Sequence, residues 1–306
     1  MTRDLAALKR ITRRGLDRSL AVFEREIMAI YRAVFDETQA HLAKLYDRYA
    51  TQGALTHAQM TKYNRMATLE KEINRIAGLG TQRSRAAIER LTRAQYQEAF
   101  FRNAWALEQH IGVTLSWGPL PSKAVVAAVE NPLRLIAEDR LRTLGREKIR
   151  RAVSQGIVRG DSFARMSREL RGAIVVKGKE SLAYNALRVA RTEGGRAHTL
   201  GELLAYERAE EEEGIKIRKV WAATLDDRTR DSHGAMDGSV ATEEGFWFPG
   251  IGYVEGPRLT GDPGEDIQCR CDILPDMEEL PPPVVRRIRD EGLQPYQTYE
   301  EWRPPA

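Results

Sequence analysis

Along the first fifty residues, apolar side chains recur at alternating spacings of three and four, and this periodicity restricts the fold more than any other feature. Such spacing predicts a long helix that packs against one or more neighbours. Gln52–Gly53 is predicted to end it, and Thr38 interrupts the pattern once. The apolar series is Leu16, Leu20, Phe23, Ile27, Ile30, Val34, Leu42, Leu45 and Tyr49.

A second helical face follows a capping signal. Thr56 with Gln59 three residues later matches a capping box, in which each side chain bonds the other residue's backbone amide. Gly78–Gly80 is predicted to break this helix, and a third helix is predicted from about Ser84. The second helix would bury Tyr63, Met66, Leu69, Ile73 and Ile76; the third would bury Ile88, Leu91, Tyr96, Ala99, Phe100 and Trp105.

The remaining chain predicts shorter helices and then two strands. A turn at Trp117–Pro121 separates the long helices from the short ones. Asp161 or Ser162 would cap the last short helix, since a short side-chain oxygen binds free amides of the first turn. The predicted short helices lie around 122–130, 133–154 and 161–171, a longer helix follows at 181–213, and strands follow at 215–221 and 267–274.

These elements predict an α+β protein with a mainly helical N-terminal half and a small α+β C-terminal domain. Three segments follow from this division: a basic helical domain at 1–175, an α+β domain at 176–275 and an extended tail at 276–306. The tail is rich in proline, and its aromatic residues suit docking on a partner, although a loosely ordered terminus explains them equally well. Those aromatics are Tyr296, Tyr299 and Trp302.

Charge is distributed unevenly. Residues 1–171 hold 31 Lys and Arg against 18 Asp and Glu, whereas residues 172–306 hold 17 against 26. The basic half therefore favours contact with phosphate or with an acidic protein surface. For double-stranded DNA the candidate contacts are Arg146, Lys148, Arg150 and Arg151, because arginine binds phosphate through paired donors. The alternative is an ordinary solvated helix face.

The short apolar runs and the two cysteines limit the chain's expected location and chemistry. No apolar run approaches the roughly 20 residues that span a bilayer, so no membrane is expected. The first twenty residues alternate basic and apolar residues and do not resemble a signal peptide, so synthesis in a reducing cytoplasm is expected. Cys269 and Cys271 are separated by one residue and cannot form an unstrained disulfide with each other, which leaves free thiols, metal ligands or packing residues.

The C-terminal half resembles a known family through an ordered set of motifs. Individually the motifs are weak, but their order is specific. They are Ala190-Arg191-Thr192-Glu193, Lys219-Val220-Trp221, a block from Thr224 to His233 containing Asp226, Arg228 and Arg230, Asp237-Gly238, Phe248-Pro249-Gly250 and Cys269-Arg270-Cys271. Over about residues 155–275 this order resembles the phage Mu F-like family of head-morphogenesis or minor capsid proteins of tailed phages.

The resemblance implies a structural protein of the virion, made in the bacterial host and attached to the portal vertex. It implies a role in head assembly and, in some members, in DNA packaging or delivery. The partners it implies are the portal protein and, further, the major capsid or scaffolding protein and double-stranded DNA. On this basis no enzymatic activity is expected.

The histidine and cysteines also suggest a metal. Two cysteines at i and i+2 of an extended segment point to one side, so both thiolates could bind one ion. His233 would be a third ligand, and Asp226, Asp227 or Asp231 a fourth, of which Asp227 is our prediction; zinc is the candidate ion. The alternative is a hydrogen-bonded cluster in which Arg270 binds the aspartate block.

An enzymatic alternative remains open. His233 among aspartates could act as the general base of a metal-dependent nuclease or another DNA-processing enzyme. Arg191-Thr192-Glu193 with Glu211 and Glu213 is a second, weaker enzymatic pattern, of the kind found in ADP-ribosyltransferases.

Overall fold

The computed structural model describes residues 5–112, 114–175 and 181–277, and the backbone of a strand pair near the C-terminus. These residues form an α+β fold in which helix dominates, as the sequence predicts. The helices are α1 (Leu5–Tyr49), α2 (His57–Thr61), α3 (Arg65–Ile111), α4 (Ser122–Val129), α5 (Pro132–Arg159), α6 (Phe163–Ile174), α7 (Leu182–Glu213), α8 (Asp231–Ala235) and α9 (Pro263–Asp266). The strands are β1 (Arg218–Ala222), β2 (Phe246–Phe248), β3 (Gly252–Val254), β4 (Asp272–Asp276), β5 (Arg286–Ile288) and β6 (Gly292–Gln294).

Helix α3 is continuous, so the predicted break at Gly78–Gly80 is wrong. A Cβ atom placed on Gly80 would lie 2.4 Å from Cγ2 of Val34 on α1, closer than two carbon atoms tolerate. Gly80 thus allows α1 and α3 to pack closely. A glycine in a helix costs about 1 kcal/mol of propensity, and the close packing of the two helices offsets this cost.

The start of the second helix differs from the prediction. The capping box is confirmed: the amide of Thr56 donates to Gln59 Oε1 at 2.8 Å, and the amide of Gln59 donates to Thr56 Oγ1 at 3.3 Å. However, Tyr63 and Asn64 have positive φ angles of 58° and 57°, which separate α2 from α3. Tyr63 is 79 % exposed, so its assignment to the buried face is wrong.

The shorter helices lie close to the predicted positions. Ser162 caps α6, since its side chain accepts a hydrogen bond from the amide of Arg165. Gly214 follows α7 with a φ of 65°, a left-handed conformation that favours glycine and ends the helix. Among the residues that the structure describes, no helix is both long and apolar enough to cross a membrane.

The strands pair as three short antiparallel ladders: β1 with β4, β2 with β3 and β5 with β6. In the first ladder Trp221 lies opposite Ile273 and Ala222 opposite Asp272. The prediction that the cysteines lie within a strand is wrong, because β4 begins at Asp272, one residue after Cys271. The pair β5–β6 falls within the predicted tail, whereas Tyr296, Tyr299 and Trp302 lie outside the described residues.

The chain divides into two compact units. The first comprises the described residues of Met1–Ala21, Leu91–Glu130 and Arg191–Ala306, and the second comprises those of Val22–Arg90 and Asn131–Ala190. Both therefore draw on α1, α3 and α7, whereas the predicted domains follow one another along the chain. The predicted boundary at residue 175 stays a prediction.

Each unit has its own apolar core. In the first, Phe100 and Trp117 from the helical part pack in one cluster with Trp221, Phe246 and Phe248 from the strands. In the second, the ring of Tyr46 packs edge-on against Phe163 at 5.5 Å, and its hydroxyl donates to the carbonyl of Asp161 at 2.7 Å. The first core surrounds the side chains described next.

Candidate metal centre

The pairing of β1 with β4 brings the predicted histidine and cysteines together. Because Ala222 pairs with Asp272, the segment that follows β1 lies beside the segment that precedes β4. The first segment leads into α8, which carries His233, and the second contains Cys269 and Cys271. The block that contains His233 follows the predicted strand at 215–221, and the structure places His233 on a short helix.

The three side chains form one buried cluster. His233 Nδ1 lies 3.2 Å from Cys271 Sγ and 3.5 Å from Cys269 Sγ. The ligand atoms of all three residues lie within 4.8 Å of one another. Exposed fractions are 3 % for His233, 8 % for Cys269 and 2 % for Cys271, so the donors face the protein interior.

The aspartates predicted near this cluster lie elsewhere. Asp227 is exposed and does not belong to the group of donors. Asp226 binds Arg270 through two parallel hydrogen bonds of 2.5 Å, as expected if Arg270 holds the aspartate block. Asp231 is the first residue of α8 and is exposed. The structure therefore brings together three of the four predicted ligands.

Glu265 is the acidic residue that contacts the histidine, and it is not among the residues predicted from the sequence. Its Oε2 lies 2.9 Å from His233 Nε2, on the ring nitrogen that faces away from the thiols. Ser232 Oγ also donates to Glu265 Oε2, at 2.9 Å. Glu265 lies on α9 close to the cysteines in sequence, but acidic residues are frequent in this half and nothing distinguished it.

Arg258 holds the backbone of the segment that contains the two cysteines. It is 3 % exposed, and its guanidinium donates to the carbonyl oxygens of both Cys269 and Cys271. It also donates to the carbonyl of Gly195 at 2.8 Å on α7. A Cβ atom on Gly195 would lie 2.7 Å from Arg258 Cδ, so this glycine makes room for the arginine.

The motif Arg191-Thr192-Glu193 contributes to the same support. The amide of Gln268 donates to Thr192 Oγ1 at 3.1 Å, which anchors the residue just before Cys269 on α7. Glu193 is buried and pairs with Arg196 at 3.1 Å. A structural role on α7 thus accounts for Thr192 and Glu193, which the sequence also allowed as part of an enzymatic pattern.

Aromatic rings enclose the histidine. Trp221 and Phe248 approach the His233 ring edge-on, with centroid distances of 6.2 and 5.8 Å. Both are buried, and Phe246 packs on Trp221 at 5.4 Å. These rings exclude water from one side of the cluster, which strengthens electrostatic interactions among its members.

The pKa values of the two thiols are shifted in opposite directions. Hydrogen bonds from Cys271 and His233 lower the pKa of Cys269 to about 4 against the opposing effect of burial. The pKa of Cys271 is raised, chiefly because its hydrogen bond to Cys269 favours its protonated form and because it is buried. The hydrogen bond to Cys269 likewise raises the pKa of His233. A second thiolate in this cluster therefore requires an added positive charge.

The donor set fits zinc. Zinc binds thiolate sulfur at about 2.3 Å and imidazole nitrogen at about 2.0–2.1 Å, so tetrahedral geometry separates nitrogen from sulfur by roughly 3.6 Å. The distances of 3.2 and 3.5 Å from His233 Nδ1 to the two sulfurs are close to this nitrogen–sulfur separation. A cavity of about 20 Å³ adjoins the donors. His233, Cys269 and Cys271 could thus hold one metal ion.

The arginines predicted to contact DNA lie on α5. Arg146, Arg150 and Arg151 are exposed, and Lys148 is partly buried. Arg150 and Arg151 line a surface depression of about 380 Å³ together with Ser154, Gln155 and two glutamates, Glu70 and Glu147. The two glutamates offset part of the positive charge of this depression.

A second buried polar cluster was not expected from the sequence. His198 Nε2 lies 3.4 Å from both Glu202 Oε2 and Asp272 Oδ1. Lys9 from α1 pairs with Glu202 and lies 3.7 Å from Asp272, and Arg13 donates to Asp272 at 3.0 Å. Burial lowers the pKa of Lys9 to about 8 and that of His198 to about 4. Here two cations already balance two carboxylates.

Part of the chain, including the histidine and the two cysteines, is similar to a known family. Residues 147–274 match the family described as Phage Mu protein F like protein. Over this region, which is a little under half of the chain, the sequence is similar to that family. The match includes α7, β1, the β2–β3 ladder and the His233–Cys269–Cys271 cluster, and it ends within β4.

Relatives extend the similarity beyond the matched region. The chain is 28 % identical to the minor head protein GP7 of Bacillus phage SPP1 over 300 residues, which cover 94 % of each protein. It is 26 % identical to the NAD(+)–arginine ADP-ribosyltransferase EFV of Enterococcus faecalis, over 92 % of this chain but 60 % of that protein. An uncharacterized protein of Haemophilus influenzae is 30 % identical over 56 % of this chain and 34 % of its own length. No solved structure matches.

Proposed function

We propose that this protein is a structural minor head protein of a tailed phage that acts in head morphogenesis. The observation that carries the proposal is the match to minor head protein GP7, which extends over 94 % of both chains and so includes the helical half as well as the family region. In this proposal the protein lies in the virion, at the portal vertex, and the portal protein is its principal partner.

The proposed role is not enzymatic. His233, the candidate base of a nuclease, is 3 % exposed and adjoins a cavity of about 20 Å³, which holds a water molecule but not a nucleotide. The ADP-ribosyltransferase relative extends well beyond the shared region, because 40 % of its length has no counterpart in the match (100 % less the 60 % covered). The activity in its name belongs to that whole protein.

The two charge regions suggest a division of contacts. The acidic C-terminal half would dock on the portal protein, because the phosphates of DNA would repel it. The arginines of α5 would face double-stranded DNA during packaging or delivery. The major capsid protein or the scaffolding protein is a further candidate partner in the same assembly.

Zinc is part of the same proposal, as a structural ion at His233, Cys269 and Cys271. It would join α8 to the segment before β4 and so stabilise a region built from very short strands. Metal analysis of protein purified without added zinc tests this: about one equivalent supports the proposal, whereas well-folded protein with far less metal contradicts it.

Co-sedimentation with portal rings tests the principal proposal. The full chain is mixed with rings from the same phage, and in parallel with labelled duplex DNA in the presence of divalent metals. Binding to the rings with uncut DNA supports a structural head protein. Failure to bind the rings, together with metal-dependent cleavage that His233→Ala abolishes, would instead support the nuclease alternative.

A charge-reversal variant tests the DNA contact. Changing Arg146, Arg150 and Arg151 to glutamate should weaken duplex binding and lower the slope of log affinity against log salt by about 2–3, since each phosphate contact releases about 0.9 counterion. Portal binding should persist. The matched control changes three other exposed arginines, Arg25, Arg32 and Arg83, in the same way. Equal losses in both variants would contradict a specific DNA face on α5.

A further inference from the structure

The orientation of the His233 ring decides which nearby groups can bind the metal. Nδ1 faces both sulfurs, at 3.2 and 3.5 Å, whereas Nε2 faces Glu265 at 2.9 Å. The two nitrogens lie on opposite sides of the imidazole, so a metal on Nδ1 cannot also reach the Glu265 carboxylate. Accordingly, Glu265 is not among the grouped donors.

Glu265 is instead placed to accept a hydrogen bond from Nε2 of His233, the ring nitrogen that does not face the sulfurs. A metal-bound histidine commonly donates its other N–H to a carboxylate, which fixes the tautomer and the ring orientation and makes the ligand more basic. Ser232 holds Glu265 Oε2 at 2.9 Å, so the carboxylate is itself oriented. His233 would then carry its proton on Nε2 and present a free electron pair at Nδ1.

The small cavity beside the three donors could supply a fourth ligand. Among the described residues, the group contains no fourth His, Cys, Asp or Glu, and the exposed Asp227 is not in it. The cavity of about 20 Å³ is lined by all three donors together with polar groups that include Thr224 and Gln268. Space of this size and polarity accommodates one water molecule.

The charges around this position favour solvent or a small anion. Zinc with two thiolates is neutral overall and can be buried at low cost, whereas a further carboxylate ligand would leave a net negative charge inside the protein. Arg228, Arg230 and Arg270 also line the cavity. Arg270 is already paired with Asp226, so Arg228 and Arg230 are the cations that an anion at this position would meet.

We infer that the zinc site has three protein ligands, His233 through Nδ1 with Cys269 and Cys271, and a fourth ligand from solvent, while Glu265 orients His233 without touching the ion. This inference rests on the proposed zinc and adds to it the ligand set and an exchangeable position. It replaces Asp227, the ligand expected from the sequence, with water.

Cobalt(II) substitution tests the ligand set, because cobalt adopts the same tetrahedral site and absorbs light. The full chain, stripped of metal, is titrated with cobalt(II) alone. We expect thiolate-to-cobalt absorption in the near ultraviolet that decreases in Cys269→Ser and in Cys271→Ser. Asp227→Asn should leave the visible bands unchanged; a shift of those bands in Asp227→Asn would show a carboxylate ligand and overturn the inference.

Glu265→Gln tests the orienting role, with Asp227→Asn as the matched control. Loss of the acceptor carboxylate should weaken zinc affinity by about 10- to 100-fold while the stoichiometry and the cobalt bands are retained. Folding of each variant is checked by circular dichroism before titration. Equal zinc affinities in Glu265→Gln and Asp227→Asn would overturn this role.

Anion titration tests the open position. Adding azide or thiocyanate to the cobalt-loaded protein should shift the visible bands, because a water ligand can be exchanged. Bands that do not respond at saturating anion would overturn the solvent ligand. If the wild-type chain binds neither cobalt nor zinc, the zinc proposal itself is wrong, whereas metal binding without the expected Glu265 or anion effects refutes this inference alone.

Discussion

Two buried clusters in the same compact unit each place a histidine beside further metal-binding side chains, but their charges differ. One contains His233, Cys269 and Cys271, and the other contains His198, Glu202 and Asp272. In each, the ligand atoms lie within 4.8 Å of one another and the residues are largely buried. Proximity and burial therefore do not distinguish them.

The surrounding cations do distinguish them. In the second cluster Lys9 pairs with Glu202, and Arg13 donates to Asp272 at 3.0 Å, so two positive groups already offset two carboxylates. A divalent ion would add two further positive charges next to Lys9 and Arg13. Burial makes that repulsion costly, because the low dielectric of the interior strengthens it.

In the thiol cluster, by contrast, the donor atoms are not paired with a nearby buried cation. Its nearest buried cation, Arg258, donates to backbone carbonyls of the cysteine segment and is not paired with the sulfurs. An ion that converts both thiols to thiolates brings its own compensating charge. Of the two clusters found among the described residues, the thiol cluster is the one whose donor atoms are not directly paired with a lysine or arginine, and this difference favours a metal ion there.

The largest predicted effect comes from removing the charge balance of the second cluster. Lys9→Met leaves Glu202 and Asp272 buried without their principal cation. Breaking a buried ion pair in this way costs about 3–5 kcal/mol of unfolding free energy. Chemical denaturation measures the loss, and Arg10→Met on the exposed side of the same helix should cause little change.

The Lys9 effect should not depend on metal. Adding a chelator should leave the difference between wild type and Lys9→Met unchanged, since the lysine binds carboxylates that we assign no ion. If zinc restored the stability of Lys9→Met, an ion would be able to replace the lysine, and the distinction between the two clusters would fail.

Chelation should have the next largest effect, and only through the thiol cluster. A ligand at 100 to 1,000 times its dissociation constant stabilises the folded state by about 2.7–4.1 kcal/mol. A chelator should therefore lower the melting temperature of the wild type markedly. Cys271→Ser should be less stable from the start and insensitive to chelator. A wild type that is equally stable with and without chelator would contradict a structural ion.

The sequence predicted the thiol cluster but not the second cluster of His198, Glu202 and Asp272. His233, Cys269 and Cys271 are rare residue types in an ordered motif, so their proximity could be expected. Lys9 and Tyr206 are 197 residues apart, yet Lys9 donates to the Tyr206 hydroxyl at 3.4 Å. A lysine in a basic helix carries no sign of burial, so only the tertiary packing identifies it.

The fold shows the same contrast between local and tertiary signals. Periodicity and caps predicted the long helices and Ser162, because both depend on residues near in sequence. Gly80 was misinterpreted as a helix breaker because its reason, the side chain of Val34, lies on another helix. The strands β2 and β3 contain three residues each, too few for an alternating pattern to be recognised.

The third prediction concerns pH and the second cluster. Burial lowers the pKa of His198 from 6.5 to about 4, despite the opposing effect of Asp272 and with further lowering by Lys9 and Arg13. Because the unfolded chain binds this proton more tightly, the stability contributed is complete above pH 6.5 and is lost as pH falls towards 4. The loss amounts to at most about 3 kcal/mol.

His198→Gln isolates this contribution, because glutamine keeps a neutral donor and does not titrate. Unfolding free energies of wild type and variant are compared at intervals from pH 7 to pH 4. The wild type should lose more stability than the variant across this window, although other carboxylates make both curves fall. Parallel curves would mean that His198 is not held neutral by burial.

The smallest effect is predicted at the edge of the thiol cluster, where Arg270 binds Asp226. The pair lies at the surface, with 36 % and 43 % of the two side chains exposed, so solvent screens it and little stability depends on it. Asp226→Asn should leave denaturation midpoints, zinc stoichiometry and cobalt bands unchanged.

The pair holds the exposed side chain of the residue between the two cysteines, whereas Arg258 and Thr192 hold the backbone of the cysteine segment. Reduced zinc binding in Asp226→Asn would show instead that the surface pair positions the cysteines, and that the metal centre depends on the aspartate block after all.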